Sequence, residues 1–553
     1  MADAAMSADD VAFPTLSDVD LATLRKFGRV ESVEMGRVLQ RAGDVPRDFH
    51  AVVSGSIDVV VRIDGREQVL RRHQRGGFLG ELSLLTGQRT YVEARMAEAG
   101  ELIVVPQEAF RRMIATEPEL SDTLLRAFVG RRTAMISLPE SPLRILGSTF
   151  SPESLRLREF AVRNRIVHQW IDVETSPEWP SLKRLHAIDP SDLPVVLAPD
   201  EEVLPHATPG SLSDMLGLTI QSIPGRQFDL VVVGAGPAGL AASVYGASEG
   251  LSTLMVESVA IGGQAGTSSR IENYLGFPTG ISGNDLAGRA YLQAMKFGAQ
   301  LSSPCVATGL TSDGGNMAVR LSDGTDVGGR ALLIATGAHY RRLDIPELPQ
   351  FEDAGVYYAA TETEAQQCRG ARVIVVGAGN SAGQAAMFLC RQAREVVMVV
   401  RGGDLGKEMS SYLTTRIAAA PNIEVRLETQ VTGLHGGRGL DEVTLRGPDG
   451  SAARLACGGL FSFIGADAGT DWLAHCASLT DGGFIRTDRS IDPGALDGNW
   501  DVLGREPLPF ETAHPGLFAA GDVRSGSVKR VAAAVGEGSA AIRSVHEHLS
   551  FSH

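Results

Sequence analysis

Hydrophobic positions along the chain fall into three successive patterns. Short β-rich runs separated by Gly36, Gly43, Gly55 and Gly65 extend as far as Pro106, and Gln107 to Met135 then reads as helical. Next comes an alternation. LRILGS reads as a strand, ESLRLREFAVRNR as an amphipathic helix and VHQWIDVE as a second strand. DLPVVLAPDEEVL then reads as a hairpin and SLSDMLGL as a closing helix. From Phe228 the grammar changes again: FDLVVVGAGPAG has the form of a buried strand that stops at a glycine turn and opens a small-residue helix. Arg372 to Gly383, RVIVVGAGNSAG, repeats it.

That strand, turn and helix form a nucleotide cradle. Gly234 allows the tight turn, Gly236 lets backbone approach a pyrophosphate with no Cβ in the way, and Gly239 lets the helix pack closely on the strand. Phosphates then face unpaired N–H groups at a helix N-terminus. A second strand, LSTLMVES, ends about twenty residues on in Glu257, where an acid accepts from ribose hydroxyls. Further on, Gly262 and Gly263 permit packing against a flat ring, and Gln264 and Asn273 can bond its polar edge. At Ala335, Thr336 and Gly337 a strand ends where the chain can pass over a bound dinucleotide. After the repeated fingerprint, EVVMVVRGGDL ends in Arg401, where an NAD-selective site would place an acid; an arginine there suits a 2′-phosphate.

Length and charge narrow the classes. At 553 residues the chain needs about three or four domains. A formal net charge of -15 excludes a broad nucleic-acid footprint, because neutralising phosphates takes clustered Lys and Arg. MADAAMSADD lacks the basic start and apolar run of a signal peptide and glycines break the long apolar runs, so a cytoplasmic chain without a membrane span is expected. Cys305, Cys368, Cys390, Cys457 and Cys476 are scattered, with no CxxC and no metal-ligand spacing.

Within the first segment, GGFLGELSLLTGQRT gathers Gly80, Glu81, Arg89 and Thr90 around a short apolar turn. Backbone N–H groups and Arg89 can meet one phosphate while Glu81 accepts from a sugar hydroxyl. The stretch resembles the phosphate-binding cassette of cyclic nucleotide-binding domains, implying a β-roll and cAMP or cGMP as effector. It departs from that family in a shortened, Pro-free interval before Arg89 and in Tyr91 and Val92 after it. The second segment resembles a thioredoxin or glutaredoxin fold with Pro194 as its cis-proline, but Ser151-Pro152-Glu153-Ser154 stands where that family has CxxC. Without sulfur there is no thiol–disulfide exchange at that turn.

From Phe228 onward the order GAGPAG, GGQ, IENY, ATG, GAGNSA and GDV resembles thioredoxin reductase of the low-molecular-weight bacterial type. The resemblance implies a multidomain α/β protein with two Rossmann-like domains, one for FAD and one for NADPH, and a homodimer. The implied domains are 1–140, the β-roll; 141–222, the thioredoxin-like domain; 223–342 and 465–553, the two parts of the FAD domain; and 343–464, the NADPH domain. FAD would be held by Gly234, Gly236, Pro237, Ala238, Gly239, Glu257, Gly263, Gln264, Asn273, Val306, Ala335, Thr336, Gly337, Gly521, Asp522, Arg530 and Val531. NADPH would meet Gly379, Asn380, Ser381, Ala382 and Arg401. Where the family carries CATC, this chain has Ala359, Ala360, Thr361 and Glu362, so Ala359 and Glu362 replace the redox cysteines. Lys529 and Arg530 stand where the family often has Arg-Gln beside the isoalloxazine.

The leading expectation is an NADPH oxidoreductase using FAD, regulated by a cyclic nucleotide, with a ferredoxin or flavodoxin, a quinone or oxygen as acceptor. Ferredoxin reductases built on this scaffold likewise lack the dithiol. A disulfide reductase using remote thiols such as Cys368 or Cys476, and a non-catalytic sensor, are the alternatives.

Overall fold

The computed structural model describes residues 11–63, 66–136, 141–200, 202–219, 227–268, 270–313, 316–352, 354–358, 360, 362–437, 439–473, 477–496, 500 and 503–551. These fall into two compact units, one of residues 1–228, 243–260 and 292–306, the other of residues 229–242, 261–291 and 307–553.

The first unit begins with two four-stranded antiparallel sheets. One runs in the order Arg29–Val33, Gly100–Pro106, Asp48–Val52, Phe78–Leu79, the other Val38–Gln40, Glu93–Glu98, Ser56–Ile63, Arg66–His73. Val52, Ile57, Met96, Leu102 and Val104 fill the space between. Phe49 and Phe110 stack with centroids 4.9 Å apart, and Phe128 joins Phe110 at 5.9 Å, so aromatic rings weld the trailing helices to the roll. The single helix expected over 107–135 is two, Gln107–Thr116 and Pro118–Ile136. The break has a local cause. Steric conflict with the Pro118 ring disfavours the α region for the preceding residue, and Glu117 sits at φ -116°, ψ 84°.

Strands Arg144–Gly147 and Gln169–Asp172 then pair in parallel, Val195–Leu197 adds antiparallel to Arg144–Gly147, and Val203–Leu204 completes the order. Helices Pro152–Arg163, Trp179–Leu185 and Pro209–Leu216 accompany them, the middle one not foreseen in the sequence. The Leu193–Pro194 peptide is cis. At the turn where a dithiol would lie, Ser151 caps the helix instead, its Oγ accepting from the Ser154 N–H at 3.2 Å. The two segments share a core. Tyr91 and Val92 of the roll lie among Leu143, Leu157, Phe160 and Leu212, and the Val167 backbone bonds the Tyr91 hydroxyl. Strands Thr253–Val256 and Gln300–Ser302, paired in parallel, belong to the same unit.

In the second unit Gln227–Val233 lies beside Asp326–Ile334, which pairs in parallel with Leu517–Ala519 and continues antiparallel through Asn316–Leu321 to Ala307–Asp313. A separate five-stranded parallel sheet has the order Val356–Tyr357, Gly459–Ser462, Arg372–Val376, Glu395–Val399, Ile423–Arg426. Apolar clusters centred on Val375 and Val396 and on Ile374 and Val397 cover its two faces, as alternation along the strands requires. An antiparallel sheet of Gln430–Gly436, Leu440–Arg446 and Ala452–Ala456 follows. Among the described residues no helix is long and apolar enough to cross a membrane.

Tyr91, only 2% exposed, is the clearest test of the shared core. Tyr91→Ala should cost about 3–5 kcal/mol, and Tyr91→Phe about 1 kcal/mol for the hydroxyl alone. Urea denaturation checks both; equal small losses would place the ring outside the core.

Candidate functional site

The first cradle is built from backbone contacts too close for any side chain. Strand Gln227–Val233 ends at Gly234, where φ is 108° and a Cβ would stand only 2.4 Å from the Ala335 carbonyl oxygen, so glycine alone fits. A Cβ on Gly239 would lie 1.9 Å from the Gly234 carbonyl oxygen. At Gly236 the opposite holds: a Cβ there would meet nothing within 4 Å. Two of the three glycines are thus demanded by packing, and the third faces open space at the start of helix Pro237–Ser248, where a pyrophosphate would lie.

Other expected residues converge on this loop. A Cβ on Gly263 would come 3.2 Å from the Gly236 Cα, and Gly262 N–H donates to the Ala235 carbonyl at 2.7 Å. A Cβ on Gly521 would approach the Ala238 methyl at 2.9 Å. Thr336 carries a buried hydroxyl without a partner among the described residues, an open valence that a bound dinucleotide would satisfy. Gln264 donates its amide to the Ala338 carbonyl, so one of its donors is already used. Asn273 and Arg530 are exposed, and Pro237 and Val531 are partly so.

Glu257 and Val306 belong to the first unit. The Glu257 carboxylate is 7% exposed and accepts from the Val259 N–H at 2.9 Å, while Val306 is 47% exposed. Asp522 is held above the usual carboxylate range, chiefly by burial, with nearby Lys529 pulling the other way. Its loop is anchored by Glu537, which sequence reasoning missed: one carboxylate accepts from the Gly521 N–H at 2.8 Å and from Arg524 at 2.8 and 3.0 Å. An acid sixteen positions away on a later helix leaves no periodic signal.

The second cradle follows the first. Gly377 has φ 137° and would place a Cβ 2.3 Å from the Phe463 carbonyl, whereas Gly379 faces open space at the N-cap of helix Asn380–Leu389. Asn380 accepts from the Ser410 N–H at 2.7 Å, Ser381 is exposed and Ala382 is buried. Arg401 is exposed and has no ion-pair partner among the described residues. Arg416 and Glu272, 2.6 Å apart, tie this domain to the 271–281 loop.

Sulfur is the missing element. Ala359, Thr361 and Cys476 lie outside the described residues; Ala360 is buried in the core, and Glu362 opens helix Glu362–Gln367. Burial pushes the Cys368 thiol up to about 11 and the Cys457 thiol up to about 12, and Cys390 is also raised.

In the first domain, the Glu81 carboxylate accepts from Ser83 Oγ at 2.8 Å through one oxygen, and its other oxygen is buried without a partner among the described residues. Gly80 packs against Phe49 and Phe128, and its carbonyl accepts from Arg131 at 2.7 Å. Arg131, lowered by burial to about 9, also donates to the Ala12 and Phe78 carbonyls and so fixes the start of the cassette. Thr90 donates to the Val92 carbonyl at 2.9 Å, whereas Arg89 is exposed.

The two kinds of glycine separate in a mutational test. Gly236→Ala should leave the apoprotein's melting temperature unchanged and weaken FAD binding at least about tenfold; Gly239→Ala should lower the melting temperature itself. Asp522→Asn removes a buried charge whose neutral form is favoured. It should therefore raise apoprotein stability at neutral pH, an advantage that shrinks as pH falls through the raised native pKa and wild-type Asp522 protonates; melting curves across pH read this out.

The model of the pyridine nucleotide-disulphide oxidoreductase family matches residues 228–538, and that of the cyclic nucleotide-binding domain matches residues 30–117. Thioredoxin reductase of Treponema pallidum is 32% identical over 324 residues, which is 58% of this chain and 97% of the relative. A Clostridium pasteurianum protein described as a 34.2 kDa protein in the rubredoxin operon is 29% identical over 329 residues, 59% of this chain and 98% of its own. Among solved structures, thioredoxin reductases of Lactococcus lactis and T. acidophilum each superpose with a TM-score of 0.52 at 26% identity, over 58% of this chain and 99% and 98% of theirs. With two glycine cradles complete and a matched segment that spans more than half its length, the chain belongs to the pyridine nucleotide-disulphide oxidoreductase family, as a thioredoxin reductase-like flavoprotein oxidoreductase carrying an N-terminal cyclic nucleotide-binding domain.

Proposed function

We propose that the chain oxidises NADPH through FAD and delivers the electrons to an acceptor other than a dithiol of its own, under control of a cyclic nucleotide. One observation carries this: both dinucleotide cradles are complete while the 359–362 segment holds no sulfur. Bound FAD would supply acceptance of hydride from the nicotinamide and onward electron transfer. The chain's own part is to bind and orient. In the second unit Gly236 would leave space for phosphates, and the Thr336 hydroxyl and Asp522 carboxylate would meet polar groups of the flavin chain. Arg401, exposed and without an ion-pair partner among the described residues, supports a 2′-phosphate and hence NADPH over NADH.

The thiols elsewhere argue against retained disulfide exchange. With the Cys368 thiol at about 11, only about one in ten thousand is ionised at neutral pH, and the thiolate is the nucleophile. Ferredoxin or flavodoxin, a quinone and oxygen are the acceptors to try. We read 141–222 as a thioredoxin-like domain that has exchanged its dithiol for a serine helix cap, and the enzyme as a homodimer in the cytoplasm. Control by the first domain is supported by a run of contacts inside the first unit. Leu216 accepts from the Arg89 N–H at 3.0 Å and Leu218 from the Ser303 N–H at 3.4 Å; neighbouring Ser302 accepts from the Glu257 N–H at 3.0 Å. These contacts run from the Arg89 turn to the strand that holds Glu257.

An acceptor panel with NADPH, run with and without cAMP or cGMP, tests the reading. Turnover with thioredoxin plus a disulfide reagent, equal to that with the other acceptors, would overturn it. Arg401→Ala should raise KM for NADPH by about 10–100-fold, the worth of a charged hydrogen bond, and leave KM for NADH nearly unchanged.

A further inference from the structure

Within the second unit the chain crosses from the first cradle's sheet to the five-stranded sheet and back, and the two crossings are zipped together. His339–Tyr340 pairs antiparallel with Ala466–Asp467. Just beyond, Arg341 donates its peptide N–H to the Gly465 carbonyl at 2.9 Å and its guanidinium to Asp467 at 2.8 Å. A two-stranded ribbon by itself leaves rotation about the ribbon free, so a second attachment is needed to fix the angle between the halves. Resting on the reading of the chain as an NADPH oxidoreductase, we infer that Arg416 and Glu272 are that attachment: a clasp of two positioning residues that sets the nicotinamide domain for hydride transfer at the flavin site.

Arg416 donates to the Glu272 carboxylate at 2.6 Å, and each partner is held firmly on its own side. Arg416 lies in the last turn of helix Ser411–Ala419, whose Leu413 and Ile417 are buried in the core of the five-stranded sheet. That helix starts on the second cradle. The Ser410 N–H donates to the Asn380 side chain at 2.7 Å, and a Cβ on Gly383 would stand 2.7 Å from the Met409 sulfur. Glu272 opens the 271–281 loop, which is closed at its base by Ile271 and Ile281, exchanging backbone hydrogen bonds of 2.7 and 3.1 Å. The next residue is Asn273, the one expected at the flavin's polar edge. The pair thus joins a helix seated on the NADPH cradle to the neighbour of a flavin contact.

Arg270 also approaches Glu272, at 3.6 Å, but it belongs to the same loop and donates to the Thr279 carbonyl, so it joins nothing across the halves. The side chains of Arg416 and Glu272 stay 39% and 27% exposed, which makes their contact reversible and open to screening by salt, as a clasp that must release product requires. The step it serves moves one hydride, with its two electrons, from NADPH to FAD and leaves NADP+ and the anionic reduced flavin. Such a transfer is steeply sensitive to how donor and acceptor rings are placed.

Anaerobic stopped-flow reduction of the FAD-loaded full chain by NADPH tests this in Arg416→Gln, Glu272→Gln and the double variant. Each single change should slow the limiting rate of flavin reduction about fivefold while the Kd for NADPH and the melting temperature hold. The double variant should be no slower than either single one, because both changes remove the same interaction. A second readout needs no turnover. Without NADPH, iodide should quench flavin fluorescence more steeply in all three variants than in wild type, since a nicotinamide domain no longer clasped ceases to shield the ring. Unchanged reduction rates with unchanged quenching, or losses that add in the double variant, would reject the clasp and leave the NADPH reading standing. If neither NADPH nor NADH reduces the wild-type flavin, both fall.

Discussion

The approach of Gly239 to the carbonyl of Gly234 is the constraint from which the catalytic half is built. A Cβ at Gly239 would stand 1.9 Å from that oxygen, so no side chain fits and helix and strand are locked at backbone distance. That lock aims the helix N-terminus at the open space over Gly236 and sets Gly234 against Ala335, where the neighbouring strand ends. Gly538, whose Cβ would lie 2.0 Å from the Ala238 carbonyl, brings the last helix equally close on the other side. A site assembled from backbone atoms is rigid before any cofactor arrives, which is what positioning a planar ring against a nicotinamide demands.

Sulfur is absent from two places where the resembled families carry it. In the second domain Ser151 satisfies a helix N-terminus that a dithiol would otherwise occupy. In the nicotinamide domain Ala359 and Glu362 stand at the two cysteine positions, and Ala360 between them lies in the apolar core around Cys368 and Phe461. Neither place holds a nucleophile. Burial raises the thiols of Cys368, Cys390 and Cys457 above the ordinary cysteine range, which disfavours their thiolates. What precedes the oxidoreductase half is a cyclic nucleotide-binding domain whose Tyr91 is packed into the core of the second domain.

Backbone-determined features were legible in the sequence. Both glycine cradles, the strand, helix and strand after Leu143, the hairpin after Pro194 and the cassette turn followed from local residue type and period. The break at Glu117 was legible in principle, since Pro118 announces it. Features decided by side chains far apart in sequence were not. Glu537 holding the Gly521 loop, Arg131 pinning the cassette from a distant helix, and Glu511, fully buried against Arg505 at 2.6 and 2.9 Å, carry no local signature. Gln264 shows the same limit from the other direction: its type suggested a ligand contact, and the fold gave its amide a carbonyl partner in Ala338.

Anaerobic reductive titration of the flavoprotein with NADPH bears most directly on the absence of a sulfur relay. With no dithiol beyond the flavin, one NADPH per bound FAD should complete the loss of flavin absorbance, with no newly reactive thiols. A requirement for two NADPH per FAD, accompanied by the appearance of two titratable thiols, would contradict the account.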